Sequence, residues 1–200
     1  EYDNVMNKQR ESIYGLRRTT LGADGARDTI LGYIHEFADN LIQAHATSES
    51  GERNTRELIG TLKAIAPFTS TLDEKVASST IEELTTHIHE EIDRLYADKE
   101  KQIGADQMRN LERLVLLRTI DQLWMDHIDQ MEHLRESVRL RAYGQRDPLI
   151  EYKLEGQRLF DQLLEAVKMN VANIIYKVET ARAPTQQKVH ESGPLEISSP

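Results

Sequence analysis

The stretch "LLRTIDQLWMDHIDQMEHLRESVRLRAYGQRDPLIEYKLEGQRLF", residues 116–160, holds two helical patterns separated by a break. Before the break, Leu117, Ile120, Trp124, His127, Met131, Leu134 and Val138 recur in steps of three and four, a heptad seam with one polar member. After it, Phe160, Leu163, Val167, Val171, Ile174 and Val178 set out a second apolar face. Between them Gly144 tolerates a turn, Pro148 disfavours helix at Asp147, and Pro148 itself suits the first turn of a following helix. The spacing predicts two helices of about 35 and 30 residues, each roughly 45 to 55 Å long. So short a connection forces them antiparallel, as an αα-hairpin. Each buried seam side chain stabilises by roughly 1.5 to 3 kcal/mol, but ordering the chain offsets most of that, so the hairpin needs another helix along its flank.

The first segment is the natural supplier. Tyr2, Val5, Met6, Ile13 and Leu16 share one face, and Asp3, Lys8, Arg10, Glu11 and Arg17 lie largely elsewhere. The run Leu21-Gly22-Ala23-Asp24-Gly25 interrupts this pattern, and Ile30, Ile34, Phe37 and Leu41 resume it, giving two helices or one helix with a glycine-softened middle. From Ala46 the texture changes to short apolar pieces (Leu58, Ile59, Leu62, Ile65), then Pro67 and a Ser/Thr-rich turn. Thr80 and Glu83 have the spacing of a capping box, which starts a helix with the stripe Ile81, Leu84, Ile88, Ile92 and Leu95. Residues 46–105 thus read as a small helical lobe inserted between longer elements. Residues 181–200, with three Pro and several Ser, read as a linker or tail.

Composition agrees with an all-α chain. Of 200 residues 38% are hydrophobic and 30% charged, with only three Phe and one Trp, so the core is modest and the solvated surface large. Good helix formers fill the long segments. The absence of cysteine excludes disulfides and thiolate metal sites. No run of 18 apolar residues occurs and the N-terminus has no signal-peptide pattern, so a soluble, cytosolic protein is expected. The chain opens on Glu1 within a helical pattern, which suggests a piece of something longer.

Catalysis finds no support in the residues. There is no GxxxxGKS or GxxxxGKT phosphate loop and no GxGxxG. His87 and His89, two apart, point about 200° apart on a helix and cannot share a ligand. Asp129 and His133 can share a face, but two groups make a poor metal site. His127 on the apolar seam reads as a register-setting or partner-contacting residue. The bend is different: Arg135, Arg139, Arg141 and Arg146 against Glu136 give it a local charge of +3 in a chain of net charge −9. Its arginines and Tyr143 suit either a docking tip or a turn whose arginines offset a helix dipole. Nucleic acid is disfavoured as a partner, because the patch is small and the overall charge repulsive.

Residues 116–160 resemble the two-helix finger of the SecA family, the ATPases that drive preproteins through the SecY channel of bacteria, and "YDNVMNKQRESIY", residues 2–14, is similar to the start of that family's long scaffold helix. The resemblance implies residues 1–45 as the long helix of the helical scaffold domain, 46–105 as the helical wing domain, 106–180 as the finger that completes the scaffold, and 181–200 as the C-terminal linker. It places the nucleotide-binding and preprotein-crosslinking domains upstream, so ATP and Mg belong to those absent motor domains and no cofactor is expected in this chain. It implies a fingertip of Tyr143, Gln145, Arg146 and Asp147 that meets the polypeptide and channel, and a Trp124 that packs on the scaffold and restrains ATP hydrolysis. Implied partners are the SecY channel complex, unfolded preprotein and the SecA nucleotide-binding domains, with a homodimer left open. The implied location is the cytoplasmic face of the inner membrane, held there through the channel. Ser137 stands where the family commonly has glycine, and Ala142 where glycine often precedes the tip tyrosine; both reduce backbone freedom. The competing reading is a stand-alone helical adaptor for protein–protein interaction.

Overall fold

The computed structural model describes residues 1–22, 25–46, 55–68, 72, 73, 76, 79–141 and 147–178. Among them the regular structure is helical: α1 (Tyr2–Leu21), α2 (Gly25–Ala46), α3 (Thr55–Ile65), α4 (Ile81–Ile103), α5 (Ala105–Arg141) and α6 (Pro148–Ile175). The expected all-α fold is what forms.

Local chemistry sets several boundaries. The Thr80 Oγ1 accepts from the Glu83 amide at 3.2 Å and the Glu83 carboxylate accepts from the Thr80 amide at 2.9 Å, closing the capping box at the start of α4. At the other end Gly104 takes φ 90°, a conformation that side chains resist, and turns the chain into α5. The Asp147 carboxylate accepts from the Leu149 amide at 2.9 Å and Pro148 follows in the first turn, which starts α6. Lys99 on α4 reaches the far end of α6 and donates to the carbonyls of Tyr176 and Val178 at 3.0 and 2.8 Å, satisfying acceptors the helix cannot.

The α5–α6 hairpin, 37 and 28 residues, is the most extensive helix pair. α1 lies against both of its arms in its upper half, while α2 packs on it nearer the base and carries α3 and α4. The main core runs through all six helices, from Ile13 and Ile30 through Leu62 and Ile88 to Leu116 and Val171. A second, smaller core of Met131, Leu134, Val138 and Tyr152, flanked by Tyr2, Val5, Met6 and Leu159, lies toward the bend.

The apolar faces differ from expectation at their margins. On α5, Ile120, His127, Met131, Leu134 and Val138 are buried as the seam requires, but Leu117 is half-buried, and Met108, Leu111, Val115 and Leu116 take the interior below it. That end of α5 is covered by α2 and α4 as well as α6, so it buries a wider face than a heptad seam. On α6, Ile174 is 38% exposed and Ala172 and Ile175 are buried instead, since a straight helix of 3.6 residues per turn drifts away from a heptad. On α2 the buried stripe is Ala26, Ile30, Ile34, Ala38 and Ile42, with Phe37 and Leu41 half-exposed beside it. Small alanines on the i, i+4 ridge let neighbouring helices approach there.

Candidate functional site

Tyr143, Gln145 and Arg146, the centre of the expected tip, lie outside the described residues, as does Ala142. Asp147 is described: its side chain is exposed and caps α6. α5 continues through Ser137, whose hydroxyl donates to the Leu134 carbonyl at 3.0 Å, so the serine is accommodated as ordinary helix. Around the bend the hairpin arms carry large apolar side chains in solvent: Leu140 is 76%, Ile150 56% and Leu154 68% exposed. These three are residues the sequence reading passed over. The signal was available in the i, i+4 pair Ile150 and Leu154, which falls off the apolar face of α6 set by Tyr152, Gly156 and Phe160.

Below the bend, α1 is tied to both arms by a buried polar chain. Gln9 is 3% and His127 1% exposed. The Gln9 side-chain nitrogen donates to the Gly156 carbonyl at 3.0 Å, which turns Gln9 Oε1 toward His127 Nε2 at 2.9 Å. An amide oxygen can only accept, so His127 Nε2 carries a proton and donates it to Gln9. Its Nδ1 is buried with no hydrogen-bond partner. Burial pushes the imidazole down from 6.5 to about 4. Gly156 also leaves room for Met131 of the other arm: a Cβ there would lie 2.7 Å from Met131 Cε.

Trp124 sits one turn below His127, half-buried, with its ring 5.5 Å from the imidazole at 30°. The imidazole's other neighbour is the Phe160 ring at 5.7 Å. Trp124 thus packs against the main core beside His127, and Arg17 of α1 pairs with Asp121 one turn further down. Toward the bend, Tyr2 packs edge-on to Tyr152 at 4.8 Å and Arg135 lies over the Tyr2 ring at 5.9 Å.

A second polar network closes the α4–α5 corner at Gly104. The Tyr96 hydroxyl donates to Glu112 at 2.6 Å, and Arg109 lies 3.0 Å from Glu112 and 2.7 Å from Glu100. Burial raises the Glu112 carboxyl, while the Tyr96 hydrogen bond and Arg109 pull it back down. The pairing missed by reading one helix at a time is that of His35 with His89, which stack at 4.3 Å across α2 and α4. His89 meets Asp39 at 2.8 Å and His35 meets Asp93 at 3.0 Å. Among the described residues no group of three or more His, Asp or Glu is placed to hold a metal ion, and no helix is long and apolar enough to cross a membrane.

Comparison with known proteins fits this architecture. Residues 1–179 match the family described as the SecA Wing and Scaffold domain. The protein translocase subunit SecA of Acetivibrio thermocellus is 40% identical over 200 residues, covering 96% of this chain and 22% of the relative. That of Syntrophomonas wolfei is 36% identical over 196 residues (96% and 24%), and that of Clostridium acetobutylicum 35% identical over 203 residues (100% and 24%). The chain spans about a quarter of the length of these relatives. Its matched region takes in the α1 flank, the inserted α3 and α4, and the whole α5–α6 hairpin, and on that ground the chain belongs to the SecA wing and scaffold family.

Proposed function

We propose that this chain is the non-catalytic, force-conveying portion of a SecA-like translocase motor. The observation that carries the reading is the long α5–α6 hairpin, gripped by α1 at mid-height and ending in a basic, aromatic bend flanked by exposed Leu140, Ile150 and Leu154. A rigid arm with such an end suits contact with extended polypeptide at a channel mouth. Tyr143 offers ring area at small entropic cost and a hydroxyl for peptide polar groups. Gln145, Arg146 and Asp147 add polar contacts beside it, with Asp147 also holding the start of α6.

In this reading ATP and Mg act in nucleotide-binding domains elsewhere in the parent protein, and α1 conveys their movements to the hairpin. Trp124, wedged against His127, restrains ATP hydrolysis in the resting state by keeping α5 seated on α1. The partners are the SecY channel complex and unfolded preprotein, and the protein works at the cytoplasmic face of the membrane through the channel. A free-standing adaptor is disfavoured, because the relatives that match nearly the whole chain are translocase subunits.

The test is site-specific photo-crosslinking from position 143 in the full-length parent, engaged with channel-containing membranes and a stalled secretory polypeptide. Engagement-dependent crosslinks to polypeptide or channel are expected, together with a translocation defect in Tyr143→Ala at unchanged helicity. A silent position 143, with neighbouring controls labelling their own scaffold, assigns the bend a purely structural role.

A further inference from the structure

We propose that Gln9, His127 and Gly156 form a register clamp: positioning residues that allow α1 to engage the hairpin at one axial setting only. Four observations converge. Gln9 and His127 are both buried, and Gln9 spends both ends of its amide on the two different arms of the hairpin. The chain of bonds lies between the two apolar cores, with Ile13, Ile120 and Phe160 on one side and Met131, Leu134 and Tyr152 on the other. Apolar layers slide past one another with little discrimination, whereas a polar layer matches in one register. The acceptor on α6 is a backbone carbonyl at Gly156, where a Cβ would lie 2.7 Å from Met131 Cε, so the bond falls where the two arms of the hairpin pack closely around α1.

The clamp has an uncompensated element. His127 Nδ1 has no hydrogen-bond partner, so the bond from Nε2 to Gln9 Oε1 is the one the imidazole makes, and it is lost when Gln9 moves away. Moving α1 by one helical turn, roughly 5 Å, leaves two buried polar side chains, Gln9 and His127, facing apolar neighbours. The exposed pair Arg17 and Asp121 marks the same register but cannot enforce it, being 34% and 53% exposed. α1 therefore moves with both arms as one body or disengages from both. For transport, this inference rests on the function proposed above: a scaffold helix that slipped would turn over ATP without displacing the tip.

The test uses the full-length parent with spin labels at Lys8 on α1 and Gln107 on α5, both exposed. The unsubstituted protein is expected to give one narrow distance. Gln9→Leu with His127→Leu removes both side-chain partners together and should add a second distance shifted by roughly 5 Å. The preference for the first register should fall about thirtyfold, the factor that two lost hydrogen bonds of about 1 kcal/mol each represent, and polypeptide moved per ATP should fall with it. His127→Gln can still donate to Gln9 Oε1 and should keep one distance and normal transport per ATP. If the double variant loses helicity, Gln9→Asn, too short to reach His127, gives the same readout. A single unshifted distance in the double variant, or a His127→Gln protein that behaves like it, overturns the clamp. A second distance with unchanged transport per ATP leaves the clamp standing and overturns the reading of the hairpin as the moving part.

Discussion

The two buried polar networks of this molecule are built from opposite materials. At the base, Tyr96, Glu112, Arg109 and Glu100 close the corner between α4 and α5 with a phenol, two carboxyls and a guanidinium drawn from neighbouring turns on either side of Gly104. At mid-height, Gln9, His127 and the Gly156 carbonyl join three helices with neutral groups far apart in sequence. Ions interact over distance and tolerate imperfect alignment, which suits a corner fixed by its own short connection. Neutral amide and imidazole contacts are short-ranged and directional, and they suit a junction where helices could otherwise slide. The difference predicts that the base fails by exposing an unpaired charge, and the middle by losing its setting.

The largest effect is therefore expected at the base. Glu112 is fully buried, and Glu112→Leu leaves the Tyr96 hydroxyl without its acceptor and Arg109 with Glu100 alone. Removing one member of a buried pair should cost about 3 to 4 kcal/mol, read as a lower denaturant midpoint at constant m value. Arg109→Met added to Glu112→Leu should recover most of that loss, because the double variant buries no unmatched charge. Simple additivity of the two losses would show that the network acts through packing and not through charge.

Acid separates the two networks by sign. The folded His127 titrates near 4 in place of 6.5, so between those values the unfolded chain binds a proton that the folded chain refuses. Stability on this account falls as pH drops from 6.5 to 4, by at most about 3.4 kcal/mol at 1.36 kcal/mol per unit. Glu112 works the other way: its raised carboxyl holds a proton in the folded state first, so its contribution grows as pH falls through its folded value and is lost as pH rises. Denaturation midpoints across this range should flatten in His127→Gln and steepen in Glu112→Gln. An unchanged slope in His127→Gln would place the acid sensitivity at another group.

What could be read from the sequence divides along the same line. The hairpin, the capping box at Thr80 and the break at Pro148 are consequences of periodicity and turn chemistry within a few residues, and they form where expected. His127 stood out as the polar member of an apolar seam. Gln9 did not, because a glutamine between Lys8 and Arg10 looks like solvated surface until α5 and α6 close over it. His35 and His89 are separated by 54 positions and meet only through the α2–α4 packing, which no single-helix pattern contains. The margins of the faces, Ile174 against Ile175 and Leu41 against Ile42, depend on which helix lies alongside, and periodicity fixes a face only to within a residue. Gln145 rests on family resemblance alone, whereas Tyr143 and Arg146 were also legible as the aromatic and basic members of the bend and Asp147 as the residue before a helix-opening proline.

The smallest predicted effect tests how α1 comes so close to α6. Gly156 sits inside a helix, where alanine is favoured by up to about 1 kcal/mol. A Cβ at that position would meet Met131 Cε at 2.7 Å and Sδ at 3.3 Å, with Val5 Cγ1 at 3.8 Å. The closest obstacle is thus the free end of a side chain with three rotatable bonds, which can move aside. Gly156→Ala should change stability by no more than about 1 kcal/mol in either direction, as helix propensity and the displaced methionine offset each other. In a Met131→Ala background the same change should become stabilising, because the propensity gain remains while the obstacle is gone. If Gly156→Ala instead costs well over that amount in both backgrounds, the methionine is not what the glycine makes room for. The limit is then the approach of the Gln9 amide to the Gly156 carbonyl, and the neutral junction is held more tightly than its two hydrogen bonds alone imply.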